Sequence, residues 1–121
     1  MVRIQHLAIR SRNPEKLALY YEGVFGWQRT YTSPNGGVHL TDGNVNIAVL
    51  PLNRSPSGID HFGVQVESME EIGRRLASFE ETLPPREDRR LVEIRLTDLD
   101  GNQIDLSERG FLDQRAAPAA E

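Results

Sequence analysis

The sequence predicts an α+β fold: one domain of two tandem βαβββ modules forming a curved eight-stranded mixed sheet, with two helices outside. Three observations carry that expectation. Ile4-Gln5-His6-Leu7-Ala8-Ile9-Arg10 and Ile59-Asp60-His61-Phe62-Gly63-Val64-Gln65-Val66 both alternate as half-buried strands, and a helical pattern follows each. Both place a histidine at the same point, a small residue two positions on (Ala8, Gly63) and a long polar one two beyond that (Arg10, Gln65). Toward the far end of each half, Leu40-Thr41-Asp42-Gly43-Asn44 matches Leu96-Thr97-Asp98 followed by Gly101-Asn102, as a repeated hairpin would.

The elements follow in order. Val2 to Arg10 is the first strand. Asn13 is a good N-cap, Pro14 suits the first helical position and Glu15 favours the first turn, so a helix of about three turns runs to Phe25-Gly26. Trp27 to Ser33 reads as a strand, Pro34-Asn35-Gly36-Gly37 as a turn, Val38 to Thr41 as a strand, and Asp42-Gly43-Asn44 as a tight turn into Val45 to Leu50. Pro51 to Gly58 links the halves. In the second half Ser68 and Glu71 form a capping-box pattern ahead of the apolar stripe Ile72, Leu76, Phe79, and Leu83-Pro84-Pro85 ends the helix. Arg86 to Arg90 is a charged strand edge or loop. Leu91 to Leu96 alternates as a strand, and Gln103 to Ser107 is the last strand. The domain covers 1–110, with modules near 2–52 and 58–109, and 111–121 is a loose Ala/Pro/Glu-rich tail.

Composition narrows the function. The chain has 121 residues and a formal net charge of −4, with no basic stripe, which argues against nucleic acid as a partner. No apolar run approaches the length of a membrane span and no signal-peptide pattern opens the chain, so a cytoplasmic location is expected. With no cysteine, any metal site must use His, Asp, Glu or water.

Asp105 sits within a strand, where Asp is disfavoured, on the face shared by Gln103 and Ser107. His6 and His61 stand 55 positions apart. Alone, either histidine reads as a packed core or surface residue; their matched placement favours a site. With Asp105 they form a candidate facial triad of two imidazoles and one carboxylate, suited to Fe, with Mn, Zn, Ni or Co as other choices. His39, Arg95, Arg10 and Gln65 are candidate substrate contacts. Glu93 is a candidate base that nothing separates from a solvated strand carboxylate.

Gln5-His6-Leu7-Ala8-Ile9, the run from Tyr20-Tyr21 to Phe25-Gly26-Trp27, Asp60-His61-Phe62-Gly63-Val64, and Asp98-Leu99-Asp100-Gly101-Asn102-Gln103-Ile104-Asp105-Leu106 resemble the vicinal oxygen chelate superfamily over about residues 2 to 109. That superfamily includes glyoxalase I, fosfomycin-resistance proteins, methylmalonyl-CoA epimerase, extradiol dioxygenases and bleomycin-binding proteins. The resemblance implies paired βαβββ units around a metal, with His6, His61 and Asp105 on ligand positions. The family's last ligand is usually Glu, one methylene longer than Asp105. Its fourth ligand position falls on Ala48, or on Ile47 if the hairpin registers differently; the match of Asn46 to Gln103 favours Ala48. Neither binds metal, so the ligand set is the three-membered one of the fosfomycin-resistance and extradiol enzymes.

Two functions from different classes follow. One is a divalent-metal-dependent enzyme acting on a small oxygen-chelating substrate, as a dioxygenase or a lyase/isomerase. The other is a metal-free protein that binds or sequesters a small molecule, as bleomycin-resistance proteins do. Unpaired sheet edges, and the family resemblance, lead to the expectation of a homodimer, against which a sedimentation result of monomer alone at high concentration would weigh heavily.

Overall fold

A computed structural model describes residues 1–89 and 91–113. Strand β1 (Arg3–Ser11) leads into helix α1 (Pro14–Phe25), followed by β2 (Gln28–Thr32), β3 (Val38–Thr41) and β4 (Asn46–Pro51). The second half is β5 (Gly58–Gln65), α2 (Met69–Ala77), β6 (Ile94–Thr97) and β7 (Gln103–Ser107). The helix starts act as read, but α2 stops at Ala77, short of the expected end at Leu83-Pro84-Pro85, and Phe79, expected in its apolar stripe, is exposed beyond the helix. The Asn13 side chain accepts from the Lys16 backbone N–H, Ser68 accepts from Glu71, and Gly26 closes α1 in the left-handed conformation at φ 70°.

The strands form one mixed sheet in the order β2-β3-β4-β1-β5-β7-β6. β1 runs parallel to β4, β5 runs parallel to β7, and the halves join along the antiparallel β1–β5 seam. β2 and β6 are the edges, each paired on one side only among the described residues.

The described residues contain seven strands, not eight. No described residue between α2 and β6 forms a strand, and the expected strand from Leu91 starts only at Ile94. Pro84 and Pro85 lack the N–H a ladder requires, and Asp88 and Leu91 adopt positive φ (47° and 53°), which turns the chain out of extended geometry. The Glu87 and Asp88 N–H groups instead donate to the Glu93 carbonyl, at 2.8 and 3.3 Å.

Register places both helices on one face of the sheet. Ala18 of α1 packs with Val38, Leu40, Ile47 and Val49; Met69 of α2 packs with Val66, Ile94 and Leu106. Alternation sends the intervening residues, including His39, Asn46, Ala48, His6 and Asp105, to the opposite face, which carries a half-open cavity of about 150 Å³. No helix among the described residues is long and apolar enough to cross a membrane.

The chain after β7 turns back over this second face. The expected tail from 111 to 121 lies outside the described residues from 114 onward. Phe111, at its head, is fully buried: its ring stacks on His6 with centroids 4.9 Å apart, and its N–H donates to Gln5 Oε1 at 2.9 Å.

Glu93 anchors that turn. It is a buried carboxylate, not a solvated one: Oε2 accepts from Ser107 Oγ at 2.7 Å and from the Arg109 backbone and side chain, both at 3.2 Å. Burial pushes the Glu93 carboxyl up, but Ser107, the Arg109 and Glu108 N–H groups and the Arg109 guanidinium outweigh it and hold the group below the usual carboxylate range. Because the folded-state pKa lies below the unfolded value of about 4.3, ionised Glu93 stabilises the fold above that pH. The contribution disappears as pH falls through the folded value. Denaturant titrations of the wild type and Glu93→Gln should therefore show a stability gap at pH 7 that narrows below about pH 4; a gap independent of pH would remove Glu93 from this role.

Candidate metal centre

One rung of the sheet organises the site. His6 is the cross-strand neighbour of Asn46 on β4 and of Gly63 on β5; Gly63 pairs with Asp105 on β7, and Asp105 with Arg95 on β6. Five strands thus present Asn46, His6, Gly63, Asp105 and Arg95 in line. His61 lies one rung away, opposite Ala8. Gly63 supplies the gap: a Cβ there would lie 2.7 Å from His6 Cβ and 2.8 Å from the Phe111 ring.

The three ligand atoms converge. His6 Nε2 is 3.4 Å from His61 Nε2 and 3.8 Å from Asp105 Oδ2, and His61 Nε2 is 3.0 Å from Asp105 Oδ2. All three residues are buried. Atoms held at 2.0–2.2 Å from one ion stand about 3.0 Å apart at right angles and about 3.4 Å apart at the tetrahedral angle. The two His61 separations fall in that range and the His6–Asp105 separation of 3.8 Å lies slightly beyond it, so the shorter Asp carboxylate still reaches the cluster.

The second nitrogen of each imidazole is already committed. His6 Nδ1 bonds Asn46 Oδ1 at 2.7 Å, and the Asn46 amide nitrogen donates to His39 Nδ1 at 3.2 Å, which orients the amide. His61 Nδ1 bonds Asp60 Oδ2 at 2.7 Å. Since Asn46 Oδ1 and the Asp60 carboxylate can only accept, both rings carry their proton on Nδ1 and turn a lone pair of Nε2 toward the cluster. Asp105 is fixed similarly: Arg95 Nε donates to Oδ1 at 2.7 Å, leaving Oδ2 buried and without a hydrogen bond. Three lone-pair-bearing atoms therefore face one another, an arrangement that fits a cation.

The two histidines differ in charge preference: His6 is held neutral, whereas the carboxylates beside His61 draw it toward the imidazolium. Burial drives His6 down to about 4, so it is neutral at ordinary pH. Burial also lowers His61, but Asp105 and Asp60 outweigh it and the net shift is upward. Burial opposes ionisation of Asp105, yet His61 and Arg95 hold it at about 2.

Asp60 and Asn46 were not singled out by the sequence. In a regular strand Asp60 and His61 would point to opposite faces. The β1–β5 register slips between Ala8–His61 and Ile9–Ile59, leaving Asp60 as the extra residue of a bulge, and this brings its carboxylate to its own neighbour. A second slip between Ile4–Val64 and His6–Gly63 bulges Gln5, whose side chain reaches Phe111.

Of the candidate substrate contacts, His39, Arg95 and Arg10 line the cavity with His6, His61 and Asp105. Gln65 does not. Its amide lies beside Gly110, under the returning chain. Ala48 lines the cavity wall as a cross-strand neighbour of both Ala8 and His39, with no donor to offer.

Two imidazoles and a carboxylate that could hold a metal ion thus converge on one face of a mixed sheet, with helices on the other. The chain belongs to the Glyoxalase/Bleomycin resistance protein/Dioxygenase superfamily, whose sequence model matches residues 3–106. No curated protein matches it significantly. Among solved structures, the 2,3-dioxygenase LapB from Pseudomonas sp. KL28 superposes with a TM-score of 0.68 at 22% identity, over 86% of this chain and 39% of that one. BphC, a halotolerant catechol dioxygenase, gives 0.71 at 16% identity, over 97% and 43%. Methylmalonyl-CoA epimerase from Mycobacterium tuberculosis gives 0.62 at 15% identity, over 85% of each chain. These likenesses show the fold. The chain spans about two fifths of the length of the two dioxygenases.

Proposed function

We propose that this protein is a divalent-metal-dependent enzyme in which His6, His61 and Asp105 hold the ion and a small substrate binds through adjacent oxygens. The observation that carries this reading is the convergence of His6 Nε2, His61 Nε2 and the unpartnered Asp105 Oδ2 within 3.8 Å. A bound divalent ion supplies Lewis-acid polarisation and positive charge for an enolate or catecholate oxygen. Asn46 and Asp60 orient the imidazoles, and Arg95 orients the carboxylate. Three protein donors, with Ala48 silent, leave room for two substrate oxygens. That favours dioxygenation or a lyase/isomerase reaction, the dioxygenase and epimerase neighbours being consistent with either. The single domain is read as two related modules working as one unit.

His61→Ala should abolish stoichiometric metal binding, measured by elemental analysis and calorimetry on untagged protein, while the apolar face of β5 keeps the fold. Asp60→Asn should weaken binding by roughly 10–100-fold. Metal content unchanged in His61→Ala would defeat the assignment.

A metal-free sequestering protein is the second reading. The Arg95–Asp105 ion pair favours it, because Arg95 neutralises the carboxylate without a metal. Wild-type protein that takes up no divalent ion at neutral pH would decide for it.

A further inference from the structure

Among the described residues, three buried side-chain atoms lack a hydrogen-bond partner: Asp105 Oδ2, Arg10 Nε and Arg89 Nε. All three residues line the one cavity above the histidines. Buried polar atoms are nearly always satisfied, so three exceptions around one cavity call for a single explanation. The acceptor matches a cation. The two donors match an anion.

The guanidinium groups are anchored with donors to spare. Arg10 uses Nη1 on the Pro51 carbonyl at 3.0 Å, and its Nε lies 3.8 Å from Asp60 Oδ2, beyond hydrogen-bond length. Arg89 uses Nη2 on Glu87 at 2.9 Å. Arg95 uses Nε on Asp105. The cavity wall thus carries three arginines and one aspartate, with Asp60 beside Arg10 and Glu87 beside Arg89 just behind it. Guanidinium N–H groups lining a concave site draw a ligand of complementary charge. Leu50, Leu91 and Val92 make the wall partly apolar, and a volume near 150 Å³ is what holds a benzene-sized molecule in other proteins.

We propose that the cavity takes a compact anionic ligand whose carboxylate or phosphonate head is held by Arg10 and Arg89, while two adjacent oxygens meet the His6–His61–Asp105 floor. The adjacent oxygens rest on the metal-enzyme reading; the anionic head does not. Guanidinium forks bind either head group, and Arg89, only partly buried, serves recognition without supporting the ligand triad.

The test uses three probes of one shape: catechol, 3,4-dihydroxybenzoate and 3,4-dihydroxyphenylphosphonate. Each is titrated by calorimetry into metal-free and Zn(II)-loaded protein, with arginine Nε resonances followed by NMR. At least one acidic probe should bind tenfold or more tighter than catechol in both forms and should move the Arg10 and Arg89 Nε signals. The tighter-binding of the two acidic probes identifies the head group. Arg89→Gln should shrink the preference to less than threefold with zinc stoichiometry unchanged. Equal binding of all three probes, or an Arg89→Gln protein with the full preference, overturns the proposal. Protein that takes up zinc but shows no preference sinks this inference and leaves the metal reading standing. Protein that binds no zinc but keeps the preference does the reverse.

Discussion

Phe111→Ala is expected to lower the unfolding free energy by roughly 3–5 kcal/mol and the melting temperature by on the order of 10–20 °C. The ring is fully buried, so its removal costs transfer energy and leaves a void over the β1–β5 seam. It also frees one face of His6, against which Phe111 stacks at an interplanar angle of 11°. The loss should therefore appear twice, in denaturant titrations and in weaker metal binding at a temperature where the variant is still folded. Phe111→Leu, which keeps most of the volume, should recover most of the stability and less of the metal affinity. A Phe111→Ala protein as stable as wild type would mean that the returning chain does not close this face.

Gly63→Ala should be the most damaging single methyl group in the site. The new Cβ would sit 2.7 Å from His6 Cβ, 2.8 Å from the Phe111 ring and 3.0 Å from His6 Cδ2. His6 Cβ is tied directly to the β1 backbone, so relief requires β1 and β5 to part or His6 to turn. Overpacking of this kind costs about 1–3 kcal/mol. The effect on the centre is larger, because ligand distances must hold to within about 0.2 Å. Stoichiometric metal binding should be lost, read by calorimetry, while circular dichroism stays native-like. Gly23→Ala is the control: nothing lies within 4 Å of the added methyl on α1, and metal binding should not change. Wild-type affinity in Gly63→Ala would show that His6 is not held by this rung.

How much of this was legible in the sequence depended on whether a signal was local. The caps at Asn13 and Ser68, the αL stop at Gly26 and the two hairpins act within a few residues and read correctly. His6 and His61 stood out through matched placement, and Asp105 through its oddity in a strand. Asp60 was hidden because strict alternation sends it to the far face, and only a bulge, set by pairing with β1, brings it back. Asn46 looked like an ordinary strand entry. Phe111 followed the last strand and looked like the head of a tail, since nothing local says that the chain turns back. Leu91 to Glu93 alternates well enough for a strand, but Pro84, Pro85 and the left-handed Asp88 and Leu91 outweigh the pattern. Gln65 shares the face of His61, yet Gly110 covers it.

The rung through Asn46, His6, Gly63, Asp105 and Arg95 has a consequence for the order in which the molecule is made. Its members come from nearly the whole length of the chain, and closing contacts so far apart in sequence is entropically slow. A nascent chain that has not yet added β7 owns both imidazoles but not the carboxylate, and lacks the partner that β5 needs on its outer side. The centre thus comes into being only with the completed fold. An ion held there would recognise the finished protein alone, and by mass action would stabilise it against every partly assembled form.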